Sequence, residues 1–282
     1  YYAFGAQVTL VAICPPSKDG DKHPVVVDIV KSDLRQELVG IRNAPEFIPI
    51  TRDSKTIEVC GTNVKKTYMG PDCWLHVEQL RAVYEKLERK KVPNVDYLIS
   101  STIIQQKHCA VVYLGPRGED VCPKSMIELL DAVYCVLQAL LIMHGGNDPI
   151  FHRDIRWANI IKLPSLSNER SKWMLIDWDE AAGLYNKAAL HLSEENHAPE
   201  VFKDNHGEEV DVWAVGRLIT DAKRWIFDVP NEIYSFGIRL QSSNRPGTKV
   251  AFEEALLLLT KYTDTGTVPS NERSGYINFM HM

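Results

Sequence analysis

Phe151-His152-Arg153-Asp154-Ile155-Arg156-Trp157-Ala158-Asn159 and, further along, Leu175-Ile176-Asp177-Trp178-Asp179 concentrate side chains that handle protons and hard metal ions. Asp154 offers a carboxylate flanked by Arg153 and Arg156, while Asn159 and Asp177 offer oxygens of the kind magnesium accepts in its tight octahedron. A base, hard oxygen ligands and a cation able to clamp an anion are what phosphoryl transfer needs. That reaction depends on positioning and charge neutralisation more than on covalent help from the protein. A lone His-Arg-Asp triplet recurs by chance; the ordered set Asp154, Asn159, Asp177 is more specific.

Two more segments follow that have nothing to do with phosphate chemistry. These are His197-Ala198-Pro199-Glu200 and Asp211-Val212-Trp213-Ala214-Val215-Gly216, with Arg245 placed just before Pro246. Together with the first two segments they resemble the C-terminal lobe of the eukaryotic protein-kinase-like superfamily. The wording His-Arg-Asp-Ile-Arg-Trp-Ala-Asn with Ile-Asp-Trp-Asp-Glu-Ala is similar to the divergent kinase domains of Crinkler-type effectors of oomycetes and fungi. The resemblance covers roughly residues 45 to 262.

It implies an α+β, bilobal protein-kinase-like fold with a small antiparallel-sheet N-lobe and a mainly helical C-lobe. Residues 1–43 would be an extension of unassigned role, 44–115 the N-lobe, and 116–282 the C-lobe with its tail. It implies ATP and magnesium as cofactors, Asp154 as base, Asn159 and Asp177 as metal ligands, and Arg156 as the cation reaching the transferred phosphate. His152 would have a structural task near the metal-binding turn, Asp211 would cap backbone groups by the catalytic loop, and Glu200 would pair with Arg245. Arg153 is of the kind that phosphorylated loops engage; Ser193 is a conceivable phosphoacceptor, although Glu194 and Glu195 beside it could satisfy an arginine instead. As partners the resemblance implies a protein substrate and a nucleotide. As an effector it implies a secreted protein acting on a host protein in the host cytoplasm or nucleus.

The elements that must position these groups are legible upstream. Short strand-like runs recur from Phe47 to Tyr68. Asn63-Val64-Lys65-Lys66-Thr67-Tyr68 reads as the strand carrying the lysine for the inner phosphates. Lys65 shares its face with Asn63 and Thr67, and is the choice here, but alternation alone does not decide between Lys65 and Lys66. Leu75, Val77, Leu80, Val83, Tyr84 and Leu87 recur at helical spacing after Pro71-Asp72. That helix would carry the glutamate orienting the lysine: Glu78, favoured, or Glu85, unless either is a surface charge pairing with Arg81 or Lys86. Tyr97 to Ile104 and His108 to Leu114 read as strands, and Leu114 with Gly115-Pro116-Arg117-Gly118 as the hinge against which adenine would bind. A long apolar helix from about Lys124 to His144 should support the catalytic loop. Upstream, Val8 to Ile13 and Val25 to Val30 read as strands separated by turn chemistry at Pro15-Pro16-Ser17-Lys18-Asp19-Gly20.

Composition sets bounds. With 282 residues, 45% of them hydrophobic, the chain can bury a substantial core. A net charge of -5 argues against general nucleic-acid affinity. Cys14, Cys60, Cys73, Cys109, Cys122 and Cys135 form no CxxC pair, which fits a reducing, intracellular working compartment. Tyr1-Tyr2-Ala3-Phe4 lacks the basic start of a signal peptide, no run of eighteen apolar residues occurs, and no membrane partner is expected.

Two departures from the family pattern stand out. No GxGxxG loop precedes Lys65, and Asp179 replaces the usual glycine after the metal-binding aspartate and its aromatic neighbour. Three readings compete: an ATP- and magnesium-dependent protein Ser/Thr kinase, a small-molecule phosphotransferase of the aminoglycoside type, and a pseudokinase scaffold. Retained Asp154, Asn159 and Asp177 favour catalysis. The Ala-Pro-Glu segment and the Asp211 helix favour a protein substrate, and the missing glycine-rich loop favours the scaffold.

Overall fold

The chain divides by its internal contacts into two units, Tyr1–Ile48 and Pro49–Met282. The computed structural model describes residues 2–4, 7–9, 50–52, 55–104, 108–164 and 172–264. In the first unit β1 (Tyr2–Phe4) pairs antiparallel with β2 (Gln7–Thr9), Ala3 opposite Val8. The remaining expectations for residues 10–43, and the tail beyond residue 264, lie outside the described residues.

The second unit begins with an antiparallel sheet. It comprises β3 (Ile50–Arg52), β4 (Lys55–Cys60), β5 (Asn63–Met69), β6 (Tyr97–Ile104) and β7 (Cys109–Gly115), in the order β3-β4-β5-β7-β6. Cys60 opposes Asn63, so Gly61 and Thr62 make a two-residue hairpin turn, and Gly61 takes the positive φ of 63° that such a turn requires. Helix α1 (Cys73–Arg89) lays Val77, Leu80, Tyr84 and Leu87 against β6 and β7, as its apolar spacing demands.

Helix α2 (Met126–His144) starts at Ser125, whose hydroxyl accepts from Glu128 N while the Glu128 carboxylate accepts from Lys124 N. By length and apolarity this helix would suit a bilayer. Here its apolarity is spent on the core: Leu129, Leu130, Val133, Leu137, Leu140 and Met143 are buried. Each such side chain contributes about 1.5–3 kcal/mol by leaving water.

Beyond it β8 (Ile160–Leu163) and β9 (Lys172–Leu175) form a hairpin that packs on α2. Helices α3 (Glu209–Ala222), α4 (Asn231–Gln241) and α5 (Thr248–Asp264) complete the helical part. Helices α3 and α4 cross at two glycines; a Cβ on Gly216 would stand 2.6 Å from the Gly237 carbonyl oxygen. The architecture is α+β, sheet first and helices after, as the sequence implies.

Candidate active site

Asp211, in the first turn of α3, is the buried post on which the catalytic segment hangs. Its two carboxylate oxygens accept from the backbone N–H groups of His152 (2.7 Å) and Arg153 (2.8 Å), and His144 Nε2 at the end of α2 lies 3.0 Å away. These bonds hold Arg153 at a φ of 72°, a left-handed conformation that a non-glycine residue adopts only when its surroundings compel it. Burial alone would raise the Asp211 carboxyl, but His144 and the donated N–H groups hold it below its ordinary value.

From that anchor the ordered set assembles. Asn159 Nδ2 donates to the Asp154 carbonyl (2.7 Å) and to Asp154 Oδ2 (2.9 Å), and Ile176 N donates to the Asn159 carbonyl at 2.9 Å. The β8–β9 hairpin therefore brings Asp177, at the exit of β9, beside Asn159. His152 Nε2 bonds the Ile176 carbonyl at 3.0 Å and meets the Trp178 ring edge-on at 4.7 Å. Trp178 in turn donates to Asp96 at 2.7 Å, and Tyr84 of α1 donates to the other oxygen of Asp96 at 3.0 Å. Burial raises the Asp96 carboxyl to about 6 against the pull of those two donors and Lys66.

Asp154 also meets two cations. Arg156 Nε lies 3.1 Å and His197 Nε2 3.0 Å from its Oδ1. His197 Nδ1 is 2.8 Å from the Ser193 carbonyl, which can only accept, so Nδ1 carries a proton. A second proton on Nε2 then satisfies the carboxylate, and the geometry favours the imidazolium. Burial pushes His197 down, yet Asp154 and the Ser193 carbonyl leave it above its ordinary value; Asp154, buried as well, is held below its own.

The sheet supplies a different lysine from the one expected. Lys65 Nζ turns to Glu58 of β4, 2.5 Å away, whereas Lys66 Nζ reaches Asp177 Oδ1 at 2.6 Å and is only 5% exposed. The reason is pleat: Lys66 shares its face with Val64 and with buried Tyr68, and that face looks toward Asp177. Glu78 is likewise corrected, because it is exposed and bonded to Arg81 at 3.0 Å, and Glu85 is exposed too. The buried face of α1 carries no glutamate.

Leu114, Val64, Ile161, Ile176, Lys66 and Asp177 line one cleft, and Gly115 follows Leu114 at the end of β7. Gly118 lets the chain pass there; a Cβ on it would come within 2.8 Å of the Lys162 carbonyl oxygen. Glu200 and Arg245 form an ion pair of 2.8 Å. Arg153 donates to the carbonyls of Glu180 (3.3 Å) and Lys187 (3.0 Å) rather than to Ser193 or its acidic neighbours. The Ser193 hydroxyl accepts from Asn196 at 3.4 Å.

Sequence reasoning missed Lys55, Tyr68, His76, Asp96 and His197. His197 stood inside the noticed His-Ala-Pro-Glu segment, and its chemistry was available from its type; the others carry no motif, and only the fold gathers them.

A family model described as the protein kinase domain matches residues 100–239. Fold, site and match together define a protein-kinase-like domain. Crinkler effector protein 8 of Phytophthora infestans is 30% identical over 238 residues, covering 79% of this chain and 37% of that protein. The relationship is Crinkler-like as well as kinase-like, and the chain spans little more than a third of the length of this curated relative.

Proposed function

We propose that this domain transfers the γ-phosphate of ATP to a serine or threonine hydroxyl of a protein, with magnesium as cofactor. The observation that carries the reading is the convergence of three separate segments, the one bearing Asp154 and Asn159, the exit of β9 bearing Asp177 and β5 bearing Lys66, with Asp211 holding the first of them through the N–H groups of His152 and Arg153. Asn159 spends its side-chain N–H groups on Asp154, which leaves its Oδ1, a hard donor, for a metal. The lysine contacts of Asp177 fall on Oδ1, so Oδ2 completes a donor set that suits magnesium. When bound, the metal would neutralise the nucleotide phosphates.

Lys66 contributes a buried cation for those phosphates, and Val64, Leu114 and Ile161 an apolar bed for the base. Asp154 orients the substrate hydroxyl and takes its proton, and Arg156 clamps the phosphoryl oxygens. The Glu200–Arg245 pair braces the segment behind His197, which suits a platform for a protein rather than a small-molecule substrate. The relative named above is itself called an effector; by the same resemblance we place the action of this domain in a host cell, cytoplasm or nucleus, on a host protein.

A second reading, a scaffold that binds without catalysis, is favoured by the missing glycine-rich loop and by one feature of the site: Lys66 is bonded to Asp177 directly, with no helix glutamate between. Incorporation of labelled phosphate from magnesium ATP into the protein and into generic protein substrates separates the two. The kinase reading expects incorporation by wild type and its loss in Asp154→Ala and Asp177→Asn with folding intact. Absence of incorporation by a wild type that binds nucleotide would leave the scaffold or the small-molecule phosphotransferase.

A further inference from the structure

Two irregularities, unrelated in sequence, meet in space. Helix α1 has no carboxylate on its buried face to hold Lys66, and residue 179 carries a carboxylate where the family pattern has none. Asp179 sits in the short helical turn Trp178–Glu180, directly over the lysine. Its Oδ1 accepts from Tyr68 of β5 at 2.8 Å and lies 3.7 Å from Lys66 Nζ and 3.7 Å from His76 Nε2 of α1; Oδ2 contacts Lys55 of β4. Four residues from three elements thus surround one buried carboxylate. The positive-φ residue of this turn is Asp177, φ 70°, and Asp179 is not among those with positive φ. Glycine is therefore not demanded at position 179, and a side chain there costs no backbone strain.

We propose that Asp179 is the positioning residue for Lys66, taking over from the metal-binding turn the orienting task that a helix glutamate would otherwise perform. The inference rests on the kinase reading above. Lys66 lies between two carboxylates, Asp177 at 2.6 Å and Asp179 at 3.7 Å. When Asp177 turns to a metal, Asp179 still tethers the ammonium within reach of the phosphates. Tyr68 and Lys55 fix Asp179, and the residue of α1 beside it is His76, 3.7 Å away, not Glu78 or Glu85. The missing glycine and the missing glutamate are then one substitution seen from two sides.

The test is a double-mutant cycle read by calorimetric binding of ADP in the presence of magnesium, with melting temperature as the folding control. Asp179→Gly, which installs the residue the family pattern has, is expected to weaken ADP binding about tenfold or more, the loss of one charge-assisted contact. Asp179→Asn retains an acceptor for Tyr68 and tests the same claim should the glycine variant unfold. Combined with Lys66→Met, either change should add no further loss, whereas Glu78→Gln and Glu85→Gln should bind as wild type does. Unaltered binding in Asp179→Gly and Asp179→Asn, losses additive with Lys66→Met, or a loss in either glutamate variant would overturn the inference while leaving the kinase reading standing. No ADP binding by wild type would remove the kinase reading and this inference with it.

Discussion

Lys65 and Lys66 are chemically identical neighbours, and one residue of pleat decides which of them faces the chemistry. Lys66→Met is expected to lower phosphate incorporation by about 10²-fold or more, the scale of removing one fixed charge at a phosphoryl-transfer site, while Lys65→Met should leave it unchanged. Rates for the two purified variants check this, and equal losses would contradict it. His197 sets a second expectation. Its pKa is raised above the ordinary 6.5, so the imidazolium that occupies Asp154 persists above pH 6.5 and is lost only as pH climbs through the raised value. Asp154 is then relieved of one hydrogen-bond donor. The turnover rate should therefore show a rising limb above pH 6.5 that disappears in His197→Gln, as a pH–rate profile of both proteins would show.

At the scale of elements, the packing of α3 on α4 admits no side chain at its crossing. A Cβ at Gly216 would meet the Gly237 oxygen at 2.6 Å and Leu240 Cβ at 2.8 Å. Gly216→Ala should cost about 1–3 kcal/mol through overpacking, a drop of roughly 2–4 °C per kcal/mol for a domain of this size. A thermal melt decides it, and an unchanged melting temperature would mean that the crossing can open without cost. Helices α1 and α2 were plain in the sequence because their apolar residues recur at 3.6-residue spacing. The function of α1 was not, since periodicity reports which face is buried and not which polar group the buried face meets.

For the whole folded unit, Asp211 joins three elements, and its ionic partners set a pH window. His144, held by Asp211 and Glu208 against its burial, has a folded pKa above 6.5. It therefore adds stability that is complete below 6.5 and fades as pH rises through the higher value. Asp211 and Glu208 run the other way: their contributions are present above 3.8 and 4.5 and are lost as pH falls through the lowered values, about 2 for Glu208. Stability should plateau between those limits. The difference in melting temperature between wild type and His144→Gln should be largest at pH 5–6 and shrink toward pH 9; a constant difference would show that His144 does not titrate in this window.

The sequence by itself determined the ordered set Asp154, Asn159 and Asp177 and, through the resemblance those motifs carry, the α+β order of elements and the pairing of Glu200 with Arg245. These are set locally, by residue type at short intervals and by periodicity, or by motifs whose order along the chain is preserved. Only the tertiary structure decided that Lys66 and not Lys65 enters the cleft, that Glu78 stays in solvent, and that Lys55, Tyr68, His76 and Asp179 converge. Those choices depend on which face of a strand or helix is turned inward, and on contacts between residues more than a hundred positions apart. No local spacing encodes such a meeting; the packing of sheet against turn creates it.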